Sequence, residues 1–191
     1  MKVEELYDGV AREYEDLINS PKVNAKLLYN LKNIFYKYKI VDGSILDLGC
    51  GPGNLKTILG NNFSYTGIDI SPKMLEIAKE KGYKTIKGKI EDEIKKIADK
   101  SFDHVISLSA IYFIKDIDFI ISELNRITRN GWIISLADIT PKYAEYFSIY
   151  APLYNHTGLK IDDLSEDLFF DAWTSPNSGD LIKERIIFKK F

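Results

Sequence analysis

The chain has 191 residues, 45% of them hydrophobic and 28% charged, with no stretch rich in Pro, Gly or Ser, which favours one domain with a real core and excludes the disordered class. A formal net charge of −2 argues against an obligatory nucleic-acid binder, because such domains carry a basic excess to displace phosphate counterions. The single cysteine, Cys50, excludes an internal disulfide and suits a reducing compartment, so a cytoplasmic location is expected; the acidic segment Met1 to Val10 does not read as a secretory signal, and no apolar run is long enough to span a membrane.

From Val3 to Tyr38, the residues Leu17, Leu27, Leu28, Leu31, Ile34, Phe35 and Tyr38 recur at helical spacing, which predicts two helices divided at Ser20-Pro21. Short apolar runs then follow at Ser44–Leu48, Ser64–Ile70, Thr85–Lys87, His104–Leu108 and Trp132–Ala137, separated by helix signals. Ser71-Pro72 ahead of Met74, Leu75, Ile77 and Ala78 is an N-cap with proline at the first helical position, and Gly82 suits the far end. Ile117, Ile120, Ile121, Leu124 and Ile127 predict another amphipathic helix, with Asn130-Gly131 as the turn into the next strand. After Thr140 the pattern changes, and Leu168–Trp173 and Ile182–Phe188 flank Ser175-Pro176-Asn177-Ser178-Gly179 as an antiparallel hairpin would. The expected fold is therefore α/β: a doubly wound, mostly parallel seven-stranded sheet with a C-terminal antiparallel hairpin, residues 1–191 forming one domain and 1–40 a helical lid.

Chemistry concentrates at Ile45-Leu46-Asp47-Leu48-Gly49-Cys50-Gly51-Pro52-Gly53, a buried strand running into a glycine-rich turn where backbone can approach a ligand closely. Asp69 ends the next strand, where a carboxylate can accept hydrogen bonds from a ribose diol. Two nucleotide readings compete here. A dinucleotide fingerprint needs Gly-x-Gly-x-x-Gly, but position 54 is Asn and Pro52 lies inside the turn, which disfavours nicotinamide binding.

These residues, with Gly67-Ile68-Asp69-Ile70-Ser71 and Ser101-Phe102-Asp103-His104-Val105-Ile106-Ser107, resemble the class I S-adenosylmethionine-dependent methyltransferases over nearly the whole chain. Tyr7-Asp8-Gly9-Val10-Ala11-Arg12-Glu13-Tyr14 resembles the lead-in of the subgroup that methylates quinone precursors and other small molecules. The resemblance implies S-adenosyl-L-methionine as cofactor, with Gly49 and Gly51 beneath its methionine part and Asp47 holding the amino group directly or through water. It implies Asp69 on the ribose, Ile70 against the adenine, backbone carbonyls of Ser107 and Leu108 near the amino group or the methyl, and Tyr7 and Tyr14 covering the site. Relatives often have Gly-Asp after the third strand; here the pair is Gly88-Lys89, so Glu91 or Asp92 is expected to replace the adenine-contacting acceptor, with Ile90 giving a backbone N–H.

The expected activity is methyl transfer to a small-molecule acceptor by in-line displacement, in which the protein mainly positions the reactants. No universal catalytic residue follows from the motif, and Tyr112, Asp138 and His156 are the candidates facing the acceptor. Asp138 could be a substrate base or a helix cap, and His156, after Tyr143, Tyr146, Phe147, Tyr150 and Tyr154, could line a pocket or a core. His104 within a strand and Cys50 within the turn read as structural, and no metal-ligand spacing or nucleophile–base pair stands out. Two rivals remain. A nucleic-acid or protein methyltransferase of the same fold would show a basic surface or a Pro-Pro-Tyr type motif where this chain has Ser107-Leu108-Ser109-Ala110, and Lys89 hints at a catalytically inactive cofactor-binding protein.

Overall fold

Five of the short apolar runs become parallel strands: β1 (Gly43–Leu48), β2 (Phe63–Asp69), β3 (Lys84–Lys87), β4 (Phe102–Ser107) and β5 (Thr128–Asp138). The two later runs form β6 (Asp167–Thr174) and β7 (Leu181–Lys190). The computed structural model describes residues 3–19, 25–111, 114, 116–138, 167–174 and 181–190. Its strands make one seven-stranded sheet in the order β3-β2-β1-β4-β5-β7-β6. The sequence of strands reverses its direction of travel between β1 and β4, and a sheet of this kind opens its ligand crevice at the carboxyl ends beside that point. The C-terminal pair is antiparallel as expected, with β7 lying between β5 and β6.

Strand side chains alternate between two faces, and each face has its own helical cover. On the first, Ile45, Tyr65, Ile106 and Ile133 pack with Leu31, Ile34 and Phe35 of α3 (Ala25–Lys37), Leu55 of α4 (Asn54–Leu59) and Leu75 and Ala78 of α5 (Pro72–Glu80). On the second, Leu46, Leu48, Ile68, Val105, Trp132 and Ile134 meet Ile120, Ile121, Leu124 and Ile127 of α7 (Ile117–Ile127). The short α6 (Ile90–Glu93) and the 3₁₀ turn Ile94–Lys96 extend that cover through Ile94. Helix α5 starts as its sequence dictates: Ser71 accepts from the Met74 N–H, and Pro72 fills the first position.

Three expectations are corrected. The first N-terminal helix is two, α1 (Val3–Gly9) and α2 (Ala11–Asn19), parted by a turn at Val10; Ser20-Pro21 lie outside the described residues. Asn130-Gly131 is no turn, because α7 passes directly into β5; the register of β5 against β4 shifts between Phe102 and His104, and Gly131 at φ +150° absorbs the irregularity. Asp138 does not sit beyond the fifth strand as a helix cap would; it is the last residue of β5, held in register by Lys183 of β7.

The N-terminal helices fold back on α5. Ala11, Met74 and Ile77 form a small cluster against which Tyr7 and Tyr14 pack, with the two rings edge to face at 5.6 Å. Ion pairs Arg12–Glu80 (3.0 Å), Lys81–Glu15 (2.9 Å) and Lys87–Glu4 (2.9 Å) ring this contact.

Candidate functional site

The glycine turn after β1 is folded back onto β2. The Gly49 and Cys50 N–H groups both donate to the Ile68 carbonyl, at 2.8 and 3.1 Å. Two glycines there do different jobs. Gly49, at φ +69°, lies so close to the chain after β4 that a Cβ would overlap the Ala110 Cβ. Gly51, at φ +50°, faces open space, with nothing within 4 Å of where a Cβ would stand. The turn is thus held tight on one side and open on the other.

Asp69 at the end of β2 bridges this turn to the start of α5. Its Oδ2 accepts from the Gly51 N–H at 2.8 Å and its Oδ1 from the Ser71 N–H at 2.9 Å. Each carboxylate oxygen can accept more than one hydrogen bond, so acceptor capacity remains for a ligand. Burial raises the pKa of Asp69 and the backbone donors pull it back, while the nearby Asp8 carboxylate raises it further.

Asp47 points to the first face of the sheet, beside Ile45, because strand positions two apart share a face. It is 4% exposed, and the Tyr83 hydroxyl donates to its Oδ2 at 3.1 Å. Burial pushes its pKa up to about 8; the Tyr83 bond opposes this and Asp69 adds to it. The folded chain then keeps a proton that the unfolded chain has lost, so folding stability falls as pH rises from about 4 to about 8, at most about 1.4 kcal/mol per pH unit. His104, whose pKa burial lowers, acts in the opposite sense below about 6.5. The quantity to read is therefore the difference between wild type and Asp47→Asn in denaturant melts at pH 5.5 and 8. Asp47→Asn is expected to gain stability relative to wild type at the higher pH; an equal effect at both would show that Asp47 titrates normally.

The carboxyl end of β4 completes the rim. The buried Ser107 hydroxyl donates to the Leu48 carbonyl at 2.9 Å and ties β4 to β1, while Leu108 packs half-buried against the first-face core. Ser109 has φ +55°, a conformation that costs a non-glycine residue about 1–2 kcal/mol, and its N–H donates to the buried Ser135 hydroxyl at 2.7 Å. Past β3, Lys89 is exposed and precedes α6, Glu91 is half-buried within it, and Ile90 Cδ1 reaches to 3.8 Å from the Cβ position of Gly49. Ile70 is half-buried directly after Asp69.

The carboxyl ends of β1, β2 and β4, with the start of α6, thus gather Asp47, Gly49, Gly51, Asp69, Ile70, Ile90, Ser107 and Leu108. Tyr7 and Tyr14 pack on Met74 and Ile77 of α5, the helix that begins three residues after Asp69. Tyr112 and His156 lie outside the described residues, as does the aromatic series from Tyr143 to Tyr154, and of Asp138 only the backbone position is described. Cys50 is 6% exposed, and a Cβ at Gly67 would collide with its side chain, so it fills the space under the turn; burial raises its pKa further from thiolate chemistry. Sequence reasoning missed Tyr83, Ala110, Ser135 and Asp8. Their partners are distant in the chain; Asp8 stands in the lead-in motif, which names the residue but not its contact with Ser71.

Residues 46–135 match the family described as "Methyltransferase domain". That match, over just under half of the chain, together with the strand order and the site above, supports a class I S-adenosylmethionine-dependent methyltransferase fold. It is 30% identical over 142 residues to an uncharacterized protein of Methanocaldococcus jannaschii, covering 73% of this chain and 53% of that one. It is 24% identical over 196 residues to a demethylmenaquinone methyltransferase of Staphylococcus aureus, covering 94% and 81%. The crystal structure of magnesium protoporphyrin IX methyltransferase from Synechocystis, with bound SAH, shares the fold with a TM-score of 0.62 at 16% identity, covering 98% of both chains. The chain spans about half the length of several curated relatives that it matches, 53% in the first case. No helix among the described residues is long and apolar enough to cross a membrane.

Proposed function

We propose that this chain binds S-adenosyl-L-methionine across the carboxyl ends of β1, β2 and β4 and transfers its methyl group to a small-molecule acceptor. The observation that carries the reading is Asp69: a half-buried carboxylate, fixed by the Gly51 and Ser71 N–H groups, with acceptor capacity left over beside the open side of Gly51. A nucleoside with a free diol fits that arrangement, and Asp47 nearby has carboxyl oxygens to accept from an ammonium group, whose charge would draw its raised pKa back down. Ile70 and Ile90 offer apolar surface to adenine, Glu91 an acceptor in place of the position Lys89 occupies, and Ser107 and Leu108 their backbone carbonyls.

When bound, the cofactor supplies a methyl group on a sulfonium, already joined to a good leaving group. The chain's own work is then to orient and to exclude water. A proton on the acceptor would pass to Tyr112, Asp138 or His156, the residues assigned to the acceptor side. Tyr7 and Tyr14 serve as part of a lid, and the names of the relatives that act on a quinone and a porphyrin support a small acceptor.

The test is to incubate the protein with S-adenosylmethionine and a panel of small phenols, amines and thiols and to measure S-adenosylhomocysteine formed. Turnover with at least one small acceptor is expected. Tyr14→Ala should lower both turnover and cofactor affinity by about 3- to 10-fold with the fold intact, because it removes one ring of the edge-to-face pair on α5. Activity confined to a nucleic acid or protein, with Tyr14→Ala indifferent, would contradict the enclosed-site reading.

A further inference from the structure

Asp8 ties the docked N-terminal helices to the start of α5 by hydrogen bonds. Asp8, on α1, places Oδ1 where it accepts both the Ser71 hydroxyl proton and the Lys73 N–H, the latter at 3.1 Å. Ser71 is fully buried. Its N–H donates to Asp69 at 2.9 Å, and its hydroxyl oxygen accepts from the Met74 N–H at 3.2 Å. Asp69 continues the chain to the Gly51 N–H. The backbone donors at the start of α5 are thus divided among Asp69, Asp8 and Ser71, and one serine joins the lid to the cofactor-facing carboxylate. The surrounding ion pairs do not offer that connection; Arg12 and Glu80 are 63% and 60% exposed, and such pairs contribute little.

We propose that Asp8 is a positioning residue for the cofactor: by taking the Ser71 hydroxyl proton it keeps that hydroxyl off Asp69 and leaves the carboxylate's remaining acceptor sites to the ribose. The physical reason is a count of donors. Ser71 has one hydroxyl proton, and its oxygen is already fixed by Met74. A buried hydroxyl that loses its acceptor turns to another. With Asp8 gone, Asp69, whose Oδ1 already holds the Ser71 N–H, is the carboxylate at hand, and a serine hydroxyl there competes with the ribose. Lid docking and ribose recognition are thereby coupled through Ser71 without Asp8 touching the cofactor.

This inference rests on Asp69 binding the ribose, and the experiment separates the two. S-adenosylhomocysteine and its 2′-deoxyribose analogue are titrated calorimetrically into the full chain as wild type, Asp8→Ala and Asp8→Asn. Wild type is expected to prefer the ribose form by about tenfold, the value of one charge-assisted hydrogen bond. Asp8→Ala should lose most of that preference, binding the ribose form about tenfold more weakly and the deoxy form nearly as wild type does. Asp8→Asn keeps the acceptor oxygen and should restore the preference; it also keeps the question open to measurement if Asp8→Ala folds poorly. An equal loss for both ligands would mean that Asp8 merely docks the lid, and an undiminished preference in Asp8→Ala would mean that it does nothing for the ribose; either overturns the proposal alone. A wild type that binds both forms equally removes Asp69 from the ribose, and the proposal falls with that assignment.

Discussion

Asp69→Ala is expected to weaken binding of S-adenosylmethionine and S-adenosylhomocysteine by about 1.5–3 kcal/mol, roughly 10- to 150-fold. The residue has two kinds of partner, so the loss has two sources. Its deletion removes the acceptor proposed for the ribose, and it releases the Gly51 and Ser71 N–H groups that now fix the turn after β1 and the start of α5. The Gly51 N–H faces open space and can turn to water, whereas the buried Ser71 N–H is left without its acceptor; thermal melts alongside calorimetry apportion the structural and the ligand-binding losses. Unchanged affinity would move the ribose elsewhere in the site.

Gly49→Ala is expected to cost more, about 3 kcal/mol of folding stability or more, and to abolish cofactor binding. A left-handed φ of +69° alone costs a residue with a Cβ about 1–2 kcal/mol. The new methyl would also overlap the Ala110 Cβ, so the turn after β1 and the chain after β4 must separate, an overpacking strain of typically about 1–3 kcal/mol. Ala110→Gly in the same chain relieves the overlap and leaves the backbone strain. The double variant should therefore recover part of the stability in denaturant melts. A Gly49→Ala protein as stable as wild type would show that the two segments are not packed as described.

What was legible in the sequence is what local chemistry decides. The apolar runs of β1 and β4 are buried, and as short apolar runs separated by helix signals they read as strands; Ser71-Pro72 named the start of α5 because its cap partner, Met74, is three residues on. The glycine turn and Asp69 were legible because few residue types tolerate those backbone positions or end a strand with a charge. Where a distant partner decides, the sequence was silent. Asn130-Gly131 is a turn signal in isolation, yet pairing with β4 and β7 draws it into β5, and the same pairing extends that strand to Asp138. The break at Val10 follows from α1 and α2 each lying on α5, which helical periodicity cannot show. Asp8 reaches Ser71 across 63 residues, and Tyr83 reaches Asp47 across 36. Ser109 carries a positive φ that glycine would ordinarily supply, its N–H held by Ser135 from the neighbouring strand.

The central claim is that the carboxyl ends of β1 and β2 form one S-adenosylmethionine site organised by Asp69. Calorimetric titration of wild type and Asp69→Ala with S-adenosylmethionine and S-adenosylhomocysteine tests it most directly. Both ligands are predicted to saturate one site per chain in the wild type and to bind at least about tenfold more weakly to Asp69→Ala. No saturable binding of either ligand to the wild type, or equal binding to both proteins, would contradict the account.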